Sequence, residues 1–295
     1  PLDTELIVRL HPDFSSLADV KAGHVSSAEI DVLVDGTTAT LTSASSRCVI
    51  TVDGGSITAD GSDILLSWKV TVAPRSTWHA SWSALLEGDD LVVQAVSNPG
   101  TWPPRRPQLP PHDPALARWV DVALDDLDAL RMRLPTAPDE EFFSAGAPWF
   151  FTLFGRDSLW TARLALPVDH RIAASTLRVL AGLQGTTDDP DTAQEPGKIM
   201  HELRAGALEL PGEGVVLPPL YYGTVDATPL WVTLLHDAWQ AGMPIGEVRA
   251  LLPTLRAALD WITVHGDSDG DGFLDYIDRS GRGLSNQGWK DSGDS

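Results

Sequence analysis

The string Phe150-Phe151-Thr152-Leu153-Phe154-Gly155-Arg156-Asp157-Ser158-Leu159-Trp160 sets an arginine beside an aspartate where a helical pattern begins, ringed by aromatics. Such a pair can clamp a polyhydroxylated ligand such as a sugar. Asp157 would accept from two hydroxyls, Arg156 would donate to a ring or hydroxyl oxygen, and aromatics such as Trp149 would supply a stacking face. The plainer role for Asp157 is an N-cap, its carboxylate taking free backbone N–H groups at the positive end of the helix. Downstream, Asp226 precedes Ala227-Thr228-Pro229 and reads equally as an N-cap or as a second hydroxyl acceptor, with Tyr221 and Tyr222 as walls of a pocket. His201 and Glu202 suggest a metal pair, but adjacent residues on a helix point to different sides, which argues against a transition-metal site.

The loop Asp267-Ser268-Asp269-Gly270-Asp271-Gly272-Phe273-Leu274-Asp275-Tyr276-Ile277-Asp278 has oxygen ligands at its first, third and fifth steps, glycine at the sixth and an acid at the ninth. A hard cation needs that pattern. Asp267, Asp269, Asp271, Asp275 and Asp278 are the candidate ligands, with Asp278 standing where a longer bidentate glutamate is usual. Arg279-Ser280-Gly281-Arg282-Gly283 offers no second helix, which excludes a calmodulin-like sensor. Two readings remain, an isolated loop holding a structural Ca2+ and an acidic turn bonded to its own backbone. No catalytic cofactor is required.

Gly155-Arg156-Asp157-Ser158 resembles the Arg-Asp pair that holds the non-reducing-end glucose in glucoamylases and in the related debranching and processing α-glucosidases. Glu195-Pro196-Gly197-Lys198-Ile199-Met200-His201-Glu202-Leu203-Arg204 and Tyr221-Tyr222-Gly223-Thr224-Val225-Asp226-Ala227-Thr228-Pro229-Leu230-Trp231 resemble, in order and spacing, motifs of glycogen-debranching, amylo-α-1,6-glucosidase-like glycoside hydrolases. The terminal Ser285-Asn286-Gln287-Gly288-Trp289-Lys290-Asp291-Ser292-Gly293-Asp294-Ser295 is similar to the family string whose general-acid aspartate follows a Trp and one further residue. The likeness covers roughly residues 140–295, and more loosely the strands before them.

The resemblance implies that Asp291 is the general acid, with Trp289 and Lys290 beside the sugar. Trehalase and processing-glucosidase versions of the string place the acid a few residues later, which makes Asp294 the alternative. A proton donor to the leaving oxygen needs a raised carboxyl pKa, which desolvation against Trp289 would supply and an inward Lys290 would oppose. Some relatives with a similar acidic loop hold a structural calcium there. The implied reaction is inverting hydrolysis of an α-1,6-branched glucan or a related α-glucoside. Inversion needs a second carboxylate about 6.5–9.5 Å from the acid. In the family it comes from a later helix, and no string here matches it; Glu195, Glu202 and Asp157 carry no mark of that role. A phosphate-dependent phosphorylase on the same fold and a non-catalytic glycan-binding or structural module are the alternatives.

These strings need a scaffold. Residues 1–98 alternate with period two or run in short apolar stretches bounded by turns such as Asp35-Gly36 and Asp53-Gly54-Gly55, which predicts an antiparallel β-sandwich with a last strand at 91–93. The prolines of residues 99–113 predict a stiff linker. From 114 the period becomes helical, with Trp119, Val120, Val122, Ala123, Leu124, Leu127 and Leu130 on one face and further helices at 157–166, 171–184, 226–241 and 246–264. The resemblance implies that residues 114–295 belong to an (α/α)6 toroid. Five or six long helices against the twelve of six hairpins lead to the expectation of an incomplete glycosidase domain.

The chain carries 21 basic and 41 acidic side chains, a formal net charge of -20. That charge repels phosphate backbones and anionic membranes, so nucleic acid and membrane are excluded as partners and an uncharged oligosaccharide or glucan is favoured. Eleven tryptophans suit a sugar ligand as well as a core. Cys48 is the only cysteine, so no intrachain disulfide forms and a reducing compartment is favoured. No signal-peptide pattern follows Pro1, and no apolar run approaches the roughly 18 residues of a membrane span. A cytoplasmic protein is expected, whose gene starts before Pro1.

Overall fold

The computed structural model describes residues 1–15, 19–20, 29–44, 46–88, 91–96, 100–109, 113–210, 214–284 and 287–288. Helices and antiparallel sheets are both present, and six helices lie wholly among the described residues. The chain divides into two compact units, Pro1–Leu91 and Val92–Ser295.

Among the described residues, seven strands build the first unit. One sheet has the order β2-β3-β4-β7 (Asp31–Asp35, Thr38–Ser43, Ser46–Asp53, Ser81–Gly88), the other β1-β6-β5 (Leu2–Leu10, Asp63–Val72, Ser56–Asp60). Alternation decides which residues turn inward: along β6, Ile64, Leu66, Trp68 and Val70 are buried and their neighbours are not. They share one core with Ala39, Leu41, Ile50 and Val52 of the other sheet and Ile57 of β5. Trp68 satisfies its indole N–H on the Asp53 carbonyl at 2.8 Å. Gly55 permits that close approach, since a Cβ there would stand 2.6 Å from the indole nitrogen.

The strand expected at 91–93 does not form. Gln94–Ala95 (β8) pairs instead with Arg131–Leu134 (β9), so these residues go with the second unit rather than with the strands before them. β9 also pairs with Ala137–Phe143 (β10), a hairpin that the sequence pattern does not announce.

The helices of the second unit are α1 (Pro114–Ala129), α2 (Gly155–Leu164), α3 (His170–Gly182), α4 (Ala227–Gln240), α5 (Ile245–Ala250) and α6 (Leu252–Val264). The single helix expected over 246–264 is two, because Pro253 lies in the first turn of α6, where its missing N–H breaks nothing. The inward face of α1 is narrower than the spacing predicts. Leu124 is buried with Val120 and Leu127 against the same cluster, whereas Trp119 is 72% and Val122 51% exposed. Trp102, in the stretch expected as a linker, is buried in that cluster edge-on to Phe143. The main core joins α2, α3 and α4 around Leu159, Leu177, Leu180, Trp231 and Leu234. Trp231 is fully buried and donates its indole N–H to the Leu177 carbonyl at 3.1 Å. No helix among the described residues is long and apolar enough to cross a membrane.

Two further short strand pairs lie among the described residues: β11 (Glu202–Leu203) with β14 (Leu220–Tyr221), and β12 (Leu208–Leu210) with β13 (Val215–Leu217). β11 is the one that frames the site.

Candidate functional site

Helix α2 begins at Gly155, with Phe154 at the N-cap in an extended conformation and no side-chain cap. The helix therefore starts two residues before the predicted 157, and Asp157 sits half-buried in its first turn rather than at the cap. Packing sets that start. The Gly155 N–H donates to the His201 carbonyl at 2.8 Å, and a Cβ on Gly155 would stand 2.2 Å from the Met200 carbonyl oxygen. On the other side of the same segment the His201 N–H donates to Tyr221 at 2.7 Å, and the Leu203 N–H donates back to Leu153 at 3.0 Å. His201 and Glu202 thus lie on an extended segment and not on the helix that their string suggested.

The Arg156 guanidinium reaches in two directions. Its Nε donates to Asp226 Oδ2 at 2.5 Å and its Nη2 to the Gly288 carbonyl at 2.6 Å. Asp226 takes the N-cap position of α4 in a helical conformation but makes no capping bond. Its other oxygen accepts from Thr224 Oγ1 at 2.7 Å. The Val225 N–H donates to the Gln287 carbonyl at 3.1 Å, which holds the segment 287–288 against this loop. Charge-assisted bonds of this kind stabilise by about 1.5–3 kcal/mol each when shielded from water, and the Arg156 side chain is only 12% exposed.

Around the Phe154 ring lies a second polar group. The His201 imidazole is edge-on to it at 5.8 Å between centroids, and the Arg204 guanidinium stands 5.8 Å from the same centroid. Arg204 Nη2 donates to Glu202 Oε2. His201 and Glu202 are buried. Burial first, then the positive charges of Arg156, Arg204 and Lys198, press the His201 pKa down to about 3, so the ring is neutral at physiological pH. Among the described residues His201 Nδ1, Glu202 Oε1, Arg204 Nε and Gln287 Nε2 are buried atoms with no hydrogen-bond partner. Thr224, Arg204 and Gln287 were not legible as site residues, since nothing in their local strings encodes a contact made across the fold.

The tyrosines take a different part from the one expected. Tyr221 and Tyr222 are both buried and each hydroxyl is bonded to backbone, so neither offers a free polar group to a ligand. The Tyr221 hydroxyl accepts from the Leu284 N–H at 3.1 Å and the Tyr222 hydroxyl donates to the Leu183 carbonyl at 2.7 Å. Burial raises both phenols to about 12. Trp149, Phe150 and Phe151 do keep exposed faces, and Phe150 stands edge-on to Phe154. Asp291 and Asp294, with Trp289 and Lys290, lie outside the described residues.

In the acidic loop, oxygens of Asp267, Asp269 and Asp275 come within 4.8 Å of one another. Asp271 and Asp278 are not in that group: Asp271 accepts from the Phe273 N–H, and Asp278 turns both oxygens to Ser280 and Gly283. Asp267 also accepts from Gly270 and Gly272, and Asp275 from Ser268, so the loop is ordered by its own backbone as well. Neighbouring Arg279 and Arg282 tie the chain after it to Asp188 and Asp191.

No protein-family model matches the chain, and no curated protein matches it.

Proposed function

We propose that the protein is a glycoside hydrolase acting on α-glucosides, in which the loops around the start of α2 hold a terminal glucose and Asp291 protonates the leaving oxygen, Asp294 being the alternative donor. One observation carries the reading. Arg156 bonds Asp226, 70 positions away in sequence, and Gly288, 132 positions away, while the residue before it bonds His201. Three strings that resemble one enzyme family therefore meet at one guanidinium, and a fourth joins them through the backbone of the residue before it. Asp291 follows Gly288 by three residues in the same string.

The site offers hydroxyl acceptors and donors in Asp157, Asp226 and Arg156, and open aromatic faces in Trp149, Phe150 and Phe151. Under this reading the helices of the second unit belong to an (α/α)6 toroid and the strands of the first to a β-sandwich. The same reading places a structural calcium ion at Asp267, Asp269 and Asp275.

The test is glucose release from α-1,6-branched glucan and from short α-glucosides, by the protein and by its Asp291→Asn and Asp294→Asn variants. In a protein that holds the second carboxylate inversion needs, for which no string here is a match, we expect turnover that Asp291→Asn lowers by at least a hundredfold, about the contribution of a general acid. Sugar binding without turnover, or turnover only with added phosphate, would replace hydrolysis by a binding or phosphorolytic role.

A further inference from the structure

We propose that His201, Glu202 and Arg204 form a second polar wall of the site, which binds the hydroxyls of an uncharged hexose unit and discriminates against charged sugars. The inference rests on the reading of the site as a sugar site and adds to it three residues outside the Arg156–Asp157 clamp. Each of the three side chains presents a buried atom without a partner among the described residues: His201 Nδ1, Glu202 Oε1 and Arg204 Nε. A single buried unpaired atom costs about 1–3 kcal/mol, and native folds hold few of them. Here three fall within four consecutive residues. His201 and Arg204 flank one ring, that of Phe154, whose backbone bridges to Glu202 and which stands two residues before Arg156.

The chemistry of the atoms narrows the ligand. A carboxylate oxygen only accepts, a guanidinium nitrogen only donates, and a neutral imidazole does one at each nitrogen. Hydroxyls, which donate and accept at once, match such a mixed set; a carboxylate or phosphate does not. The charges agree. Arg204 is already paired with Glu202, and Arg156 with Asp226, so an anionic ligand would face Glu202 and Asp226 while competing for cations that are engaged. His201 adds no charge, because burial and its cationic neighbours keep it neutral.

Isothermal titration of the whole protein with glucose and with glucuronate, the same ring bearing a carboxylate, tests the inference. We expect glucose to bind and glucuronate to bind at least tenfold more weakly. The variants His201→Asn, Glu202→Gln and Arg204→Lys should each lose about ten- to a hundredfold in glucose affinity. If wild type and variants bind glucose alike, the wall is overturned and the sugar reading stands; in that case water or the chain's own residues meet these atoms. If glucuronate binds as well as glucose, the discrimination is overturned. If wild type binds no sugar and turns over no glucoside, both readings fall together. Should a variant not fold, the imidazole 15N resonances of His201 in the wild type decide: they should move on adding glucose, and unmoved resonances overturn the proposal.

Discussion

His201 is a residue whose position costs stability under one condition and not another. In the folded protein its pKa is pressed down to about 3, whereas in an unfolded chain it is near 6.5. Between those values the unfolded state binds more protons than the folded one, so stability falls as the pH drops from about 6.5 toward 3. Thermal melting followed from pH 7 to pH 4 should show that fall, and His201→Asn should make it shallower. At the other end Tyr221 and Tyr222, raised to about 12 by burial, favour the folded state until the phenols of the unfolded chain ionise. Stability is then lost as the pH rises above about 10, and Tyr222→Phe should soften that loss. The sequence named His201 and both tyrosines as members of distinctive strings but could not assign their environments, because burial is a property of what packs on a side chain and not of its neighbours in the string.

At the scale of elements, the start of α2 lies close against the segment before β11. Gly155→Ala should therefore destabilise by about 1–3 kcal/mol in urea unfolding, since the new Cβ meets backbone oxygen, which cannot step aside as a side chain would. Gly182→Ala, in α3 with open space around it, should be neutral or slightly stabilising by comparison. The acidic loop makes its own prediction. Three carboxylates held within 4.8 Å repel one another, and a divalent cation that binds only the folded loop stabilises it by mass action. Calcium at about 1 mM should raise the melting temperature of the wild type and leave that of Asp269→Asn nearly unchanged; equal melting with calcium or chelator would leave the self-bonded turn as the account of this loop. Helix positions were legible wherever an apolar stripe ran for three turns. Their ends were not: the start of α2 and the break at Pro253 answer to packing and to one missing N–H.

For the molecule as a whole, a net charge of -20 on 295 residues means self-repulsion in the compact state. Raising sodium chloride from about 0.05 to 0.5 M shortens the Debye length from over 10 Å to under 5 Å, so the melting temperature should rise across that range. A fall would mean that the exposed ion pairs, such as Arg9–Asp63 and Arg47–Glu87, outweigh the general repulsion. Each unit keeps a core of its own, built on Leu66 and Trp68 in the first and on Leu177 and Trp231 in the second. The sequence separated them by a change of hydrophobic period, and it placed the boundary a few residues late because the pairing of Gln94–Ala95 with β9 joins residues more than thirty apart.

What sequence alone determined about this protein is local. Period two and period 3.6 distinguish strands from helices, glycines mark turns, and the strings around Arg156, His201, Asp226 and Gly288 resemble motifs of one family. Tertiary structure decided what those strings do to one another. It turned the Asp226 carboxylate from a cap into the partner of Arg156, buried both tyrosines, and left His201 and Arg204 against a single phenyl ring with Glu202 bonded to Arg204. The physical reason is range. Torsional preference and side-chain period act over a few residues, whereas a guanidinium meeting partners 70 and 132 positions away is placed by the packing of every element between them.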